Sequence, residues 1–384
     1  MDLAFALFRY FPFGGMQRDM LGLAERAARI GNKVTIYCHT WDGVRPEGID
    51  VCVLDAPGRT NHTRARRFND ALRERLASAD HKLVFGFDKL GGLDMYFTAD
   101  PCFVTRTANR SWLYRLTPRY RTFRDLEGRV FGENGSKRIF LLDEGQKHDY
   151  QQIWKTPDAR FQVLQPGIAM DRRKGDDAAA LRASGRQELG ADDNTLVLLM
   201  LAANFELKGL DRAMHAVAEL PAQLRARTRL LAIGQSPPPQ LQQLANRLDL
   251  QDHVTMLPGR SDVPRLLQSA DLLIHPARRD TTATVLLEAV VAELPVLCTD
   301  TCGYAKHIEA AACGRVVAEP FCQETLNENL RELLMSDLTS LQTAARNYHE
   351  THDLHGMQEY LCEMFDSLAH TGYGDLPLAE TRKS

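Results

Sequence analysis

Short, continuously apolar runs alternate with helical patterns along almost the whole chain, and that alternation limits the possible folds more than any other feature. The clearest run is Leu196-Val197-Leu198-Leu199-Met200-Leu201, with no polar residue between its members. A strand of this kind is buried on both faces, as in a parallel sheet covered by helices. Runs of similar character predict strands at 3–9, 34–39, 50–54, 83–87, 101–104, 138–142 and 161–165 in the first half. In the second half they predict strands at 195–202, 228–233, 253–257, 271–275, 294–299 and 315–318. Strand–helix alternation in each half predicts an α/β chain of two doubly wound, Rossmann-like domains. The Pro166-Gly167 turn opens a polar stretch, 169–194, and sets the boundary there. The reading is 1–167 for the first domain, 168–352 for the second, and 353–384 for a C-terminal helix and tail that packs back on the first. Residues 371–384 read as frayed. Two such domains facing one another bring the carboxyl ends of both sheets to a common cleft, where ligands bind.

Composition narrows the partners. Hydrophobic residues make up 44% of the chain and charged residues 25%, the balance of a soluble globular protein. A formal net charge of −3 argues against a nucleic-acid partner held by bulk charge. The eight cysteines, at 38, 52, 102, 298, 302, 313, 322 and 362, form no Cys-x-x-Cys pair, and most lie in apolar runs. That pattern suits reduced, buried thiols. No stretch approaches the roughly 18 apolar residues of a membrane span, and the first apolar segment lacks the basic flank of a signal peptide. These features predict a cytoplasmic protein.

Three constellations carry chemistry. Phe11-Pro12-Phe13-Gly14-Gly15-Met16-Gln17-Arg18-Asp19 follows the first apolar run and leads into a helical pattern through Met20, Leu23, Ala24 and Ala27. A Gly-Gly turn here either packs a helix on a sheet or lets a phosphate or diphosphate approach the free N–H groups of the helix start. Lys208-Gly209 follows the run at 195–202 through a short loop. A lysine there is either a solvated surface residue or a group that neutralises phosphate. The third constellation, Asp280-Thr281-Thr282-Ala283-Thr284-Val285-Leu286-Leu287-Glu288, holds two acids, the second inside a helix that begins near Thr281 or Thr282. Read plainly, Asp280 caps that helix and Glu288 lies on its surface. Read as a site, Glu288 meets a ribose-like diol and the first-turn N–H groups hold a phosphate. There is no Asp-x-Asp triplet, no Gly-x-Gly-x-x-Gly, no Walker-type loop and no zinc-spaced His/Cys set. Neither a metal nor a nicotinamide cofactor is therefore expected.

Together these segments resemble the GT-B glycosyltransferases of family 4, and more closely those that add glucose to the lipopolysaccharide core. The resemblance runs from Leu3 to near Leu368. Its carriers are Arg9 through Asp19, Gly91-Gly92-Leu93-Asp94-Met95-Tyr96-Phe97 leading to Asp100, and Pro166-Gly167-Ile168. Further carriers are Lys208-Gly209-Leu210-Asp211-Arg212, Asp271 through Pro276, Val285-Leu286-Leu287-Glu288-Ala289 and Cys302-Gly303-Tyr304.

The resemblance implies retaining, metal-free transfer of a hexose, glucose first among them, from a UDP-sugar to a heptose of a lipid-anchored core acceptor. It implies that Gly14 and Gly15 admit the diphosphate and that Lys208 neutralises it. Glu288 would hold the ribose hydroxyls and Asp280 the donor-sugar hydroxyls, with Thr282, Ala283 and Thr284 completing the donor site. Asp100 matches an acidic residue near the reacting sugar, so Asp100, Lys208 and Asp280 form the expected catalytic set. Arg18, Asp19, Asn61, His62 and Lys89 are assigned to the acceptor. Three positions depart from the family pattern: Asp280 stands for Glu, Ala283 for Gly and Leu207 for a basic residue. They leave open a relative with another UDP-hexose or glycolipid acceptor, and a degenerate GT-B protein that binds without turnover.

The stretch Thr105–Phe131 carries Arg106, Arg110, Arg115, Arg119, Arg121, Arg124 and Arg129 against Asp125 and Glu127, with Trp112, Tyr114, Tyr120 and Phe123 interleaved. Such a mixture suits an anionic membrane surface, at about 1 kcal/mol per basic residue near the lipid. The plainer reading is a solvated helix whose aromatics pack on the sheet. A lipid-anchored acceptor favours the first, with peripheral attachment at the inner face of the cytoplasmic membrane.

Overall fold

The computed structural model describes residues 1–371 apart from 13, 235 and 237, so Phe13 and the tail beyond 371 lie outside the described residues. The chain divides into two compact units, Met1–Gly167 with Gly356–Ser384, and Ile168–His355.

The strands of the first unit are β1 (Asp2–Ala6), β2 (Arg9–Tyr10), β3 (Lys33–Cys38), β4 (Thr40–Trp41), β5 (Asp50–Val53), β6 (Leu83–Gly86), β7 (Met95–Thr98), β8 (Arg138–Leu141) and β9 (Phe161–Val163). Seven of them form one parallel sheet in the order β5-β3-β1-β6-β7-β8-β9, while β2 and β4 pair as a short parallel ribbon. In β1 the residue alternation divides the core. Leu3 and Phe5, with Leu7 just beyond the strand, join Phe85 and Phe365, whereas Ala4 and Ala6 face Phe68 and Phe131. Phe365 comes from the helix Met357–Thr371, and its ring lies 6.2 Å from Phe5 and 6.0 Å from Phe85. Burying such a ring stabilises by about 1.5–3 kcal/mol, which ties the C-terminal helix to the first sheet.

The second unit holds β10 (Leu196–Ala202), β11 (Thr228–Gly234), β12 (Val254–Pro258), β13 (Leu272–His275), β14 (Val296–Thr299) and β15 (Gly314–Val317). All are parallel, in the order β12-β11-β10-β13-β14-β15. The strand order reverses between β10 and β13, and open α/β sheets bind ligands beyond the carboxyl ends at such a point. Strand β10 is covered on both faces: Val197 and Leu199 enter one cluster, Leu198, Met200 and Ala202 the other.

Two local expectations are corrected, and the polar stretch after the boundary gains a structural role. The strand expected at 101–104 is absent; the strand is β7, and Phe103–Arg106 forms a helical turn. Pro101 has no N–H for a ladder, and the N–H groups of Phe103 and Val104 donate to the Glu127 carboxylate at 2.6 and 3.3 Å, as at a helix start. The polar stretch 169–194 contains the helix Ala178–Glu188, an integral part of the second unit. Its polarity has a use: Arg182 and Arg186 meet Asp271 at 2.6 and 3.1 Å. The helix carrying Glu288 begins at Thr284, two to three residues later than expected.

Candidate active site

At the strand-order reversal of the second unit, two loops and the end of β13 bring three side chains together. The loop after β10 carries Lys208, fixed by its N–H bond to the Asn204 carbonyl and by Gly209 at φ +78°. A Cβ on Gly209 would lie 2.1 Å from the Pro276 carbonyl oxygen, so only glycine lets the two loops approach. The loop after β13 carries Asp280, whose backbone forms an isolated bridge to Cys302. Lys208 Nζ lies 2.8 Å and His275 Nε2 2.9 Å from the same oxygen, Asp280 Oδ2. Burial pushes the Asp280 carboxyl up, but the His275 hydrogen bond and the Lys208 charge outweigh it and hold it at about 2. Asp280 is thus an ionised partner of Lys208 and not a helix cap.

The backbone between Asp280 and the helix explains the late helix start. The Gly303 N–H bonds the Asp280 carbonyl and the Tyr304 N–H bonds the Thr282 carbonyl, so 280–282 are spent on the 301–304 loop. Ala283 then turns the chain at φ +58°, ψ 58°, a left-handed cap without a side-chain hydrogen bond. The helix Thr284–Val291 is buried from Val285 onward, Glu288 included. Glu288 therefore lies inside the unit rather than on a helix surface, with Arg172 Nε 3.7 Å from its Oε1.

In the first unit Gly14 caps and Gly15 opens the helix Gly15–Arg29, and a Cβ on Gly15 would meet nothing within 4 Å. This leaves open space at a helix start. Arg18 and Asp19 follow on the same helix, whereas Asn61 and His62 open the helix Asn61–Ala77, where Thr60 caps and also meets His62 at 3.3 Å. Asp100 is exposed beyond β7. Lys89 is committed to the interior: its ammonium lies 2.6 Å from Glu127 Oε1 and 2.7 Å from the Pro101 carbonyl.

Sequence reasoning missed four groups. His275 ends a buried strand and Asp88 follows another, and a polar residue closing an apolar run was the available signal. Asp88 Oδ2 accepts the Phe8 N–H at 2.6 Å. Burial pushes its carboxyl up to about 6, the Phe8 bond opposes this, and Asp100 adds to it while Lys89 opposes. Arg172 and Glu127 gave no local signal, since their partners are remote in sequence. Glu127 was counted among the acids of 105–131 but points inward, accepting from Lys89, Phe103, Val104 and Trp154. The outer face of that stretch is correspondingly more basic. Of its aromatics Tyr120 is buried and Trp112 is 70% exposed, beside exposed Leu113 and Leu116. Arg106, Arg110, Arg119 and Arg124 lie over the rings of Phe103, Tyr114, Phe123 and Trp154.

Among the described residues no three His, Cys, Asp or Glu side chains come together as a metal-ion site, and no helix is long and apolar enough to cross a membrane.

Residues 182–351 match the family described as glycosyl transferases group 1. The lipopolysaccharide glucosyltransferase WaaG of Escherichia coli K12 is 39% identical over 362 residues, covering 94% of this chain and 97% of the relative. A crystal structure of WaaG matches with a TM-score of 0.91 at 38% identity, over 94% of this chain and 98% of its own. A crystal structure of Anabaena HepE in complex with UDP-glucose matches with a TM-score of 0.74 at 17% identity, over 96% and 100%, a likeness of fold. With this agreement over nearly the full length, the chain belongs to the group 1 glycosyltransferases, within the family of WaaG, and has the GT-B fold.

Proposed function

We propose that this chain is a retaining hexosyltransferase that moves glucose from UDP-glucose to a heptose of a lipid-anchored lipopolysaccharide core. The observation that carries the reading is the Lys208–Asp280–His275 cluster at the strand-order reversal of the second unit, in a chain similar to WaaG over nearly its whole length. A UDP-sugar presents a diphosphate, a ribose and a hexose. Lys208 supplies a positive charge for the diphosphate. Thr284 and Val285, at the helix start, supply N–H groups that have no described acceptor. Glu288, held near Arg172, meets the ribose hydroxyls, and Asp280 meets the hexose hydroxyls while holding Lys208 in place.

In the transfer the bond from the sugar to the β-phosphate breaks, and the acceptor hydroxyl attacks on the same face. A departing phosphate oxygen takes the hydroxyl proton. The protein orients the reactants and stabilises charge on the leaving diphosphate, with no covalent step of its own and no metal. Asp100 stands at the carboxyl end of the first sheet on the acceptor side. The basic stretch 105–131 attaches the protein to the inner face of the cytoplasmic membrane, where such an acceptor is anchored.

The test is UDP release and product formation from UDP-glucose and a heptosylated core acceptor, for the wild type and for Lys208→Ala. The wild type is expected to transfer glucose. The variant should fold and lose tenfold to a thousandfold of the rate, about 1.4–4 kcal/mol of charge stabilisation. UDP binding with no turnover by the wild type would favour the degenerate binding protein instead. Full activity of Lys208→Ala would remove the cluster from the mechanism.

A further inference from the structure

The first unit has a second concave site. A groove of about 1130 Å³ is lined by Arg73, Arg115, Arg121, Arg124 and Arg129 against two carboxylates, Asp125 and Glu133. Arg129 is paired with Asp125 at 2.8 Å, and Arg124 lies over the Trp154 ring at 5.5 Å. The side chains of Arg73, Arg115 and Arg121 have no described hydrogen-bond or ion-pair partner, and all three residues are exposed. Three uncommitted guanidinium groups on one groove make a receptor for a multiply charged oxyanion, since each offers forked N–H donors suited to phosphate.

Its borders narrow the choice further. Leu116 lines the groove, and Trp112 and Leu113 continue from it on the same 3-10 turn, Trp112–Leu116, all three strongly exposed. A charged groove that runs out onto an apolar ridge matches an amphiphile, its anionic head in the groove and its tail on the ridge. The framework is firm, because Glu127 binds the turn at 103–106, the helix Pro118–Phe131 and Trp154 together from beneath. Arg73 stands on a different helix, Asn61–Ala77, outside the basic stretch that the sequence singles out.

We propose that this groove is a headgroup site selective for the phosphomonoester of a membrane-embedded lipid, gripped by Arg73 together with Arg115 and Arg121. The proposal rests on the reading of 105–131 as a lipid-facing stretch and adds chemical selectivity to it. A phosphomonoester carries about −1.5 to −2 charges near neutrality and three acceptor oxygens, enough to engage several arginines at once. A phosphodiester carries one charge and fewer free oxygens.

The experiment measures binding of the full chain to phosphatidylcholine vesicles containing phosphatidic acid, or phosphatidylglycerol at twice the molar fraction, so that surface charge is matched. The expected result is tighter binding to the phosphatidic acid vesicles. Arg73→Gln should lower that affinity about tenfold or more, the scale of one charge-assisted hydrogen bond, and leave phosphatidylglycerol binding within about twofold. Equal affinity for the two vesicles, or an equal effect of Arg73→Gln on both, would overturn headgroup selectivity while leaving membrane attachment standing. Binding to neither vesicle would remove the lipid-facing reading itself. Glycerol 3-phosphate is the soluble control: displacement of the protein at concentrations matching the vesicle phosphate would make this a free-phosphate site and overturn the lipid assignment.

Discussion

Gly209 and Asp88 show how single residues set local geometry and its response to pH. Gly209 adopts φ +78° with the Pro276 carbonyl against it. A left-handed alanine costs about 1–2 kcal/mol before any clash is counted, so Gly209→Ala should lower stability by about 2 kcal/mol or more and displace Lys208. Urea unfolding and donor affinity measure the two effects, and an unchanged midpoint would mean that the Pro276 loop yields freely. Asp88 makes stability depend on pH. Its folded pKa is raised to about 6 from the ordinary carboxylate value of 3.8, so the folded state binds the extra proton between those values. Stability therefore falls as pH rises through that window and stays lower above it. Asp88→Asn keeps an acceptor for the Phe8 N–H and removes the charge. Relative to the wild type it should gain stability as pH rises from about 4 to about 6 and level off above, by as much as about 3 kcal/mol over the whole window, read as a pH-dependent difference in melting temperature. A difference that does not change with pH would mean that Asp88 titrates normally.

At the scale of elements, Glu127 decides where the basic helix sits. Its carboxylate is fully buried and joins five partners from three segments, Lys89 among them. Removing one member of a buried ion pair strands the other, at about 3–5 kcal/mol, and Glu127→Gln should destabilise by that amount. Adding Lys89→Met should recover part of the loss, because the stranded ammonium is gone. Denaturant midpoints of the two single variants and the double variant close the cycle, and simple additivity would show that the two groups are not coupled. The same contact accounts for the absence of the strand expected at 101–104, since a carboxylate at the amino end of 103–106 draws those N–H groups into a helical turn.

For the whole molecule, the prediction concerns donor binding and metal. In the proposed donor site Lys208 and helix N–H groups would supply the positive charge, so on that reading UDP should bind and raise thermal stability without a divalent ion. At a ligand concentration 100 times Kd the gain is about 2.7 kcal/mol. Calorimetry and melting curves with UDP, in the presence and absence of EDTA, check this. Loss of the UDP effect on chelation, restored by magnesium or manganese, would show that a metal completes the site.

Much of this protein is written in local pattern. Strands buried on both faces must be continuously apolar, so all six strands of the second sheet and most of the first are readable from runs such as Leu196–Leu201. The loops that follow those runs, carrying Gly14 and Gly15, Lys208 and Asp280, are readable for the same reason. Tertiary structure alone decided which polar group meets which. His275 and Lys208 on Asp280, Arg172 near Glu288, Lys89 on Glu127 and Asp88 on the Phe8 N–H pair groups as much as 116 residues apart, as between Arg172 and Glu288. Hydrophobic periodicity states which face of an element is buried. A charged residue inside it finds its partner only after the elements have packed, because a buried charge is stable only where the fold supplies its counter-ion.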